Sequence, residues 1–304
     1  MYTILPNGVY PPVPTFFDDQ EDLDLATLRR HLRRLADSGI AGYVLMGSNG
    51  EAVHLSEGER EQVITTAREV VGSGEQAMPI VAGCGDQSAR ATIALCHMAA
   101  RCGADFALVL PPSYYRGLMN NRALIAYYQA VADSSPLPVI LYNMPASAAG
   151  IDLDAATICT LAGHPNIVGL KDSAGNIAKL AQVVAATPES FKVYAGSASF
   201  LLPALAVGAV GTVAALANIF PHEVCTVQAL FESGRLEEAR ALQARIIPAN
   251  AAVTTIYGVP ALKAALELTA GYGGRPRRPL QPLTEQEREK LAEILRKTPL
   301  ELEG

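Results

Sequence analysis

Asn166-Ile167-Val168-Gly169-Leu170-Lys171-Asp172-Ser173 reads as a short buried strand that ends on a lysine. The apolar run 167–170 is bounded by His164-Pro165 before it and Ser173-Ala174-Gly175 after it, as for a strand covered on both faces. Lysine is costly in such a place, and an ammonium drawn out of water gives up its proton more readily, which leaves a nucleophilic amine. That is the chemistry of a Schiff-base lysine. The plainer alternative is a solvated lysine just past the strand end, paired with Asp172.

Outward from this strand the same strand, turn and helix unit recurs. Toward the N-terminus, residues 9–17 mix apolar residues with three prolines, and Leu25, Leu28, Leu32 and Leu35 follow at helical spacing. Tyr43-Val44-Leu45-Met46 is a second strand, followed by the turn Gly47-Ser48-Asn49-Gly50-Glu51 and a helix opened by the capping box of Ser56 and Glu59. Strands at 79–82 and 106–110 and helices over 88–100 and 124–131 make two further units. Val139-Ile140-Leu141-Tyr142 precedes the lysine strand, and Val193-Tyr194-Ala195 and Gly211-Thr212-Val213 follow it. Eight such units predict a closed (β/α)8 TIM barrel of the α/β class rather than an open doubly wound sheet, and no dinucleotide glycine fingerprint follows the first strand.

Beyond residue 233 the strand pattern stops. Residues 235–247, 260–270 and 284–296 read as three helices, so the expected division is a catalytic barrel over 1–233 and a C-terminal helical subdomain over 234–304. Arg275, Arg277 and Arg278 in the linker before the last helix read as a solvated or interface-facing cluster.

The 304 residues are half apolar and carry a net charge of −6, so there is no basic footprint for nucleic acid or an anionic membrane surface. The N-terminal residues lack a charged and then apolar leader, and no apolar run approaches the ~18 residues of a membrane span. A soluble, cytoplasmic protein acting on small molecules is expected. Cys84, Cys96, Cys102, Cys159 and Cys225 show no paired or metal-ligand spacing and read as reduced packing thiols. Gly83-Cys84-Gly85-Asp86 lacks the Gly-Lys-Ser/Thr ending of a phosphate loop and reads as a simple turn.

In a barrel, the C-terminal strand ends share one mouth, which lets Gly47 to Glu51, Tyr114, Tyr142, Lys171, Ser173, Gly196 and Ser197 meet. The backbone N–H groups and hydroxyl of Gly47-Ser48-Asn49-Gly50 suit a carboxylate. Tyr142, ending the neighbouring strand, suits acid–base work, and Ser48 with another tyrosine suits a proton relay behind it. Ser173 and Ser197 suit the polar end of a substrate. On position alone Tyr142 could equally be a half-buried strand tyrosine, and Tyr114 loop packing. Glu51 reads as a brace for the 47–50 turn.

The motifs Gly47-Ser48-Asn49-Gly50-Glu51, Pro111-Pro112-Ser113-Tyr114-Tyr115, Leu141-Tyr142-Asn143-Met144-Pro145 and Gly169-Leu170-Lys171-Asp172-Ser173 resemble, in order and spacing, the dihydrodipicolinate synthase/N-acetylneuraminate lyase family of class I aldolases. The resemblance covers essentially the whole chain. It implies a pyruvate Schiff base on Lys171, a proton-shuttling Tyr142, Ser48 in the relay, no metal or organic cofactor, and a homotetramer built as a dimer of dimers. It also implies that Tyr114 works in a neighbouring subunit's site.

Ser147 stands where the dihydrodipicolinate synthases carry a carboxylate-binding arginine, and Ser48-Asn49 where they usually carry two threonines, which speaks against 4-hydroxy-tetrahydrodipicolinate synthesis. The 47–51 turn, Ser113-Tyr114-Tyr115-Arg116-Gly117, Ala195-Gly196-Ser197 and Asn250-Ala251-Ala252-Val253-Thr254 resemble the branch that cleaves 4-hydroxy-2-oxoglutarate to pyruvate and glyoxylate. Asn143 and Ala146-Ser147-Ala148 depart from that branch, which implies an altered wall facing the aldehyde half. Cleavage of a 2-keto-3-deoxy sugar acid is the second expectation. A non-catalytic, metabolite-binding barrel is disfavoured because Lys171, Tyr142, Ser48 and Tyr114 are all present.

Overall fold

The computed structural model describes residues 4–74 and 77–298. Eight parallel strands run as β1 (Gly8–Tyr10), β2 (Tyr43–Leu45), β3 (Ile80–Gly83), β4 (Phe106–Val109), β5 (Val139–Asn143), β6 (Ile167–Asp172), β7 (Lys192–Ala195) and β8 (Gly211–Val213). Each from β2 onward pairs with the next, and β8 pairs with β1. The seam between β1 and β2 is a single parallel bridge at Pro12 and Val44. Pro11 and Pro12 have no N–H to extend the ladder, so the seam is held by Ala41 N to Val9 O (2.8 Å), Val44 N to Pro11 O (3.1 Å) and Val13 N to Val44 O (2.8 Å). The expected (β/α)8 barrel is therefore the observed one.

Eight helices alternate with the strands: α1 (Leu25–Ala36), α2 (Glu57–Val71), α3 (Ala89–Arg101), α4 (Asn121–Ser134), α5 (Ala155–Ala162), α6 (Ile177–Ala186), α7 (Leu201–Ala206) and α8 (Pro221–Glu232). Local chemistry sets where they begin. Asp24, Ser88, Asn120, Asp154 and Asn176 cap their helices through side-chain oxygens, and Ser56 and Glu59 form the reciprocal box foreseen in the sequence. Buried faces such as Leu28, Leu32 and Leu35 of α1 pack into the layer between helices and barrel.

A second, smaller core fills the barrel itself, with Tyr10, Val81, Phe106, Ile140 and Tyr194 among its members. Tyr10 and Tyr194 meet edge to face at 5.7 Å, and their hydroxyls donate to carbonyls of Leu5 and Pro6, ahead of β1. That end of the barrel is plugged.

The β5–β6 ladder contains a register step that decides the site. Val139 pairs with Ile167 but Ile140 pairs with Gly169, so Val168 is an extra residue in β6. Beyond the bulge Tyr142 faces Lys171 and Asn143 faces Asp172.

After the Ser233 turn come α9 (Leu236–Ala251), a π-helical turn (Ala252–Ile256), α10 (Val259–Ala270) and α11 (Glu285–Arg296). Residue 233 lies in that turn, and the described elements after it are helical. Helix α9 runs past the expected stop at 247 and through Pro248; Ile246, Ala249 and Asn250 are buried on either side of the proline. The packing of that face outweighs the one backbone hydrogen bond that a proline removes. Arg277 departs from the solvated cluster expected of it: its guanidinium lies 4.2 Å from the Phe17 ring centroid and pairs with Glu59 at 2.5 Å. Arg278 pairs with Glu21 and stays largely exposed. Among the described residues no helix is long and apolar enough to cross a membrane.

Candidate active site

Lys171 is inside β6, not past its end, and is 4% exposed. Its Nζ lies 4.0 Å from the centroid of the Tyr142 ring. Asp172 is not its partner, because alternate strand residues point to opposite faces. Asp172 is fully buried on the outer face of the strand, where Oδ2 takes Lys179 Nζ at 2.8 Å and Asn143 Nδ2 at 2.9 Å, and Oδ1 accepts from Ala174 N at 2.8 Å. Asn143 also donates to Asp152 Oδ1 (2.7 Å) and accepts from Leu153 N (2.9 Å). The expected change in the aldehyde-facing wall therefore does not come from Asn143, which faces away from the cavity and ties β5 to β6.

The Tyr142 hydroxyl lies 3.2 Å from Ser48 Oγ, and Ser48 Oγ lies 3.3 Å from Ser147 Oγ. Ser48 opens a 3₁₀ turn (Ser48–Gly50) flanked by two left-handed residues, Met46 (φ 52°) and Glu51 (φ 52°). Such strain persists only where surroundings over-determine it. Here the buried Glu51 carboxylate pairs with Lys263 Nζ at 2.7 Å, accepts from Arg277 N at 2.9 Å and meets His54 Nδ1 at 3.1 Å. The brace expected of Glu51 is present, and it reaches α10 and the linker. Gly83 is needed beneath it, since a Cβ there would lie 1.9 Å from Met46 O.

On the far side Ser173 Oγ donates to Gly196 O at 3.4 Å, and Gly196 N donates to Asp172 O at 2.7 Å. A Cβ on Gly196 would stand 2.0 Å from Ser173 Oγ, so glycine permits this approach. Asn250 Nδ2 donates to Ser197 Oγ (2.9 Å) and Ser199 Oγ (2.7 Å), while its buried Oδ1 has no hydrogen-bond partner.

One cavity of about 540 Å³ is lined by Ser48, Asn49, Tyr142, Lys171, Ser173, Gly196 and Ser197, together with Asn250, Thr254 and Thr255. Among the described residues lining it, Lys171 is the one charged side chain. Gly47 lines an adjoining cavity of about 340 Å³ that shares Ser48 and Tyr142. Tyr114 is not brought to either within the single chain. The loop after β4 carries it outward, Gln87 Oε1 holds the Ser113 and Tyr114 N–H groups at 2.8 and 2.9 Å, and the ring is 80% exposed against Tyr115.

Four polar lining groups, Ser199, Asn250, Thr254 and Thr255, escaped the sequence reading. Asn250 and Thr254 lie in a stretch that stood out as a motif, yet the expected helix stopped at residue 247, before them. Ser199 carried no signal beyond its neighbour Ser197.

A lysine set inside a barrel against an aromatic ring, with a hydroxyl chain leading away, is an arrangement suited to carbonyl chemistry. The profile of the dihydrodipicolinate synthetase family matches residues 5–298, and the chain belongs to that family as an aldolase-type lyase. It is 44% identical over 297 residues to the Emericella nidulans protein named "Probable 4-hydroxy-2-oxoglutarate aldolase, mitochondrial", covering 97% of this chain and 96% of that one. It is 40% identical over 321 residues to the L-threo-3-deoxy-hexylosonate aldolase of Aspergillus niger, with 97% and 96% covered. The solved 4-hydroxy-tetrahydrodipicolinate synthase of Methylacidiphilum fumariolicum SolV superposes with a TM-score of 0.89 at 32% identity, over 96% of this chain and 95% of that one.

Proposed function

We propose that the protein is a Schiff-base aldolase that cleaves a 4-hydroxy-2-oxo acid to pyruvate and an aldehyde, with 4-hydroxy-2-oxoglutarate, which yields glyoxylate, as its first candidate substrate. The observation that carries this is Lys171, 4% exposed and 4.0 Å from the ring of a tyrosine whose hydroxyl continues to Ser48.

In this reading Lys171 condenses with the 2-oxo group to an iminium. Tyr142 accepts the C4 hydroxyl proton as the C3–C4 bond breaks, and the iminium takes up the electron pair as the enamine of pyruvate. Protonation and hydrolysis free pyruvate and restore Lys171. The iminium is the electron sink, so the route calls on no cofactor. The N–H groups of Ser48 and Asn49 suit the C1 carboxylate, since the turn's own hydrogen bonds run from Gly50 N to Gly47 O and Glu51 N to Ser48 O. The adjoining position of Gly47 and the Ser173, Gly196 and Ser197 wall suit the rest of the chain.

A 2-keto-3-deoxy sugar acid is the second reading. It is favoured by the neutral wall of Ser173, Ser197, Ser199, Asn250, Thr254 and Thr255, which offers hydroxyls and an unpaired amide oxygen but no second cation for a second carboxylate.

The assembly in this reading is a homotetramer built as a dimer of dimers, in which the exposed Tyr114 serves a neighbouring copy's site; sedimentation and a Tyr114→Phe variant test it. A cytoplasmic location is set against a relative whose name carries "mitochondrial", and cell fractionation decides between them.

The deciding experiment is intact-mass spectrometry after borohydride treatment with pyruvate, comparing the unchanged protein with Lys171→Ala. An adduct on the former alone supports the reading, and none on either overturns it. A lactate dehydrogenase-coupled assay over 4-hydroxy-2-oxoglutarate and 2-keto-3-deoxy-hexonates then names the substrate.

A further inference from the structure

We propose that the π-helical turn after α9 reads hydroxyl groups on the far end of the substrate, with Thr254 as the specificity-determining residue and Asn250 as the group that sets the direction of the hydrogen bonds around it. The inference rests on the aldolase reading above and deepens it. The site takes a 2-oxo acid whose tail carries hydroxyls beyond C4, such as a 2-keto-3-deoxy-hexonate, through a match of donors and acceptors rather than through a second charge.

The turn brings the threonines to the cavity. Tyr257 N donates to Ala252 O, five residues back, at 3.2 Å, so this turn holds one residue more than an α-helical one. Thr254 and Thr255, four and five residues after Asn250, both line the cavity that Asn250 lines. The turn carrying Ser197 and Ser199 is tied to the same helix. Buried Gln243 of α9 donates to Ala198 O at 2.8 Å and accepts from Leu202 N at 2.9 Å.

The partners of each hydroxyl fix its direction. Asn250 Nδ2 donates to Ser197 Oγ and Ser199 Oγ; the reversed amide would leave a buried N–H pair unmet in place of a single oxygen. Ser197 Oγ also accepts from Ser199 N at 3.2 Å, so both its lone pairs are used and its O–H remains as a donor. Thr254 has the opposite sense. Its O–H donates to Asn250 O, one turn back, at 2.6 Å, and the Asn250 amide approaches its oxygen only at 3.5 Å, so an acceptor lone pair remains. The Thr255 hydroxyl is likewise turned back, toward Ala251 O at 3.4 Å.

A donor at Ser197 and an acceptor at Thr254 suit a chain of hydroxyls. Each hydroxyl both gives and takes a hydrogen bond, so such a tail meets Ser197 with an oxygen and Thr254 with a hydrogen. A carboxylate has acceptors only. It satisfies Ser197 but sets oxygen against oxygen at Thr254, and among the described lining residues no cation besides Lys171 offsets that. An alkyl tail meets neither group and leaves both without the water they gave up. The selectivity therefore comes from the direction in which neutral groups point, which the Asn250 amide and carbonyl impose.

Thr254→Val and Thr254→Ser form the test, since the first keeps the shape without the hydroxyl and the second keeps the hydroxyl. The unchanged protein and both variants are assayed for cleavage of 2-keto-3-deoxy-hexonate and of 4-hydroxy-2-oxoglutarate, and the pyruvate concentration for half-maximal borohydride trapping is measured beside them. The expected result is cleavage of the hexonate by the unchanged protein. In Thr254→Val the ratio of hexonate KM to half-saturating pyruvate should rise about tenfold, the worth of one hydrogen bond, and Thr254→Ser should restore it. The same ratio for 4-hydroxy-2-oxoglutarate, where that substrate is cleaved, should not rise, because a carboxylate has no hydrogen to give Thr254. With the pyruvate adduct present, three results each overturn the hydroxyl reading alone: no cleavage of the hexonate, an unchanged ratio in Thr254→Val, or equal rises in the Val and Ser variants, which mark a packing role. No adduct on the unchanged protein removes the aldolase reading, and this inference with it.

Discussion

Tyr142 and Lys171 are Cα partners on adjacent strands, and the lysine Nζ stands 4.0 Å from the centroid of the tyrosine ring. The negative face of the ring favours a cation at that point, whether ammonium or the iminium that replaces it. The same side chain has its hydroxyl at the edge, 3.2 Å from Ser48 Oγ. In the proposed reaction one residue would support the charge with its face and move the proton with its tip.

Tyr142→Phe separates those two tasks. It keeps the ring over Lys171 and removes the hydroxyl, so the cleavage rate should fall by roughly 100- to 10,000-fold, the usual contribution of a positioned acid or base. The pyruvate adduct should still form on prolonged borohydride trapping. Cleavage by Tyr142→Phe at the unchanged rate would show that another group carries the proton.

The Glu51–Lys263 pair joins the Ser48 turn to α10 with both side chains fully buried. Burial draws the Lys263 ammonium below its ordinary range against the pull of Glu51. Lys263→Met strands a buried carboxylate and should cost about 3–5 kcal/mol in urea unfolding, whereas the double change with Glu51→Gln should recover much of that loss. Additive losses in the double variant would refute the coupling.

His31 is fully buried between Tyr272 Oη (2.9 Å from Nδ1) and Asn218 Oδ1 (3.0 Å from Nε2). Asn218 Nδ2 is spent on Pro12 O and Ala215 O, so its Oδ1 is the acceptor and His31 Nε2 carries the hydrogen. Burial pushes the imidazole down from 6.5 to about 3. The unfolded chain then binds the proton first, so stability should fall as pH drops below about 6.5, by up to ~1.4 kcal/mol per pH unit. Thermal melts between about pH 6.5 and 5 should show this slope, and His31→Gln should flatten it. An unchanged slope in the variant would assign it elsewhere.

Asn250→Ala should leave pyruvate trapping intact and raise KM for the longer substrate by about tenfold, the worth of one hydrogen bond of 1–1.5 kcal/mol. The amide holds Ser197 and Ser199 at 2.9 and 2.7 Å, so its loss releases both hydroxyls at once. A KM that stays level would place the substrate away from this wall.

The amino-acid sequence by itself determined the (β/α)8 barrel, because eight apolar runs with capped helices between them leave few other ways to bury both faces of each strand. It also singled out Lys171 and Tyr142, since a lysine and a tyrosine at the ends of adjacent buried strands are chemically conspicuous. Tertiary structure alone decided what each faces. The extra residue Val168 sets Tyr142 opposite Lys171, and the alternation of the strand turns Asp172 and Asn143 outward to Lys179 and Asp152. Asn250 reaches the cavity because α9 continues through Pro248, and Ser147 meets Ser48 from 99 residues away. Periodicity records which face of an element is apolar, a local property; register and long-range contact depend on how separate elements pack, which no single window of sequence contains.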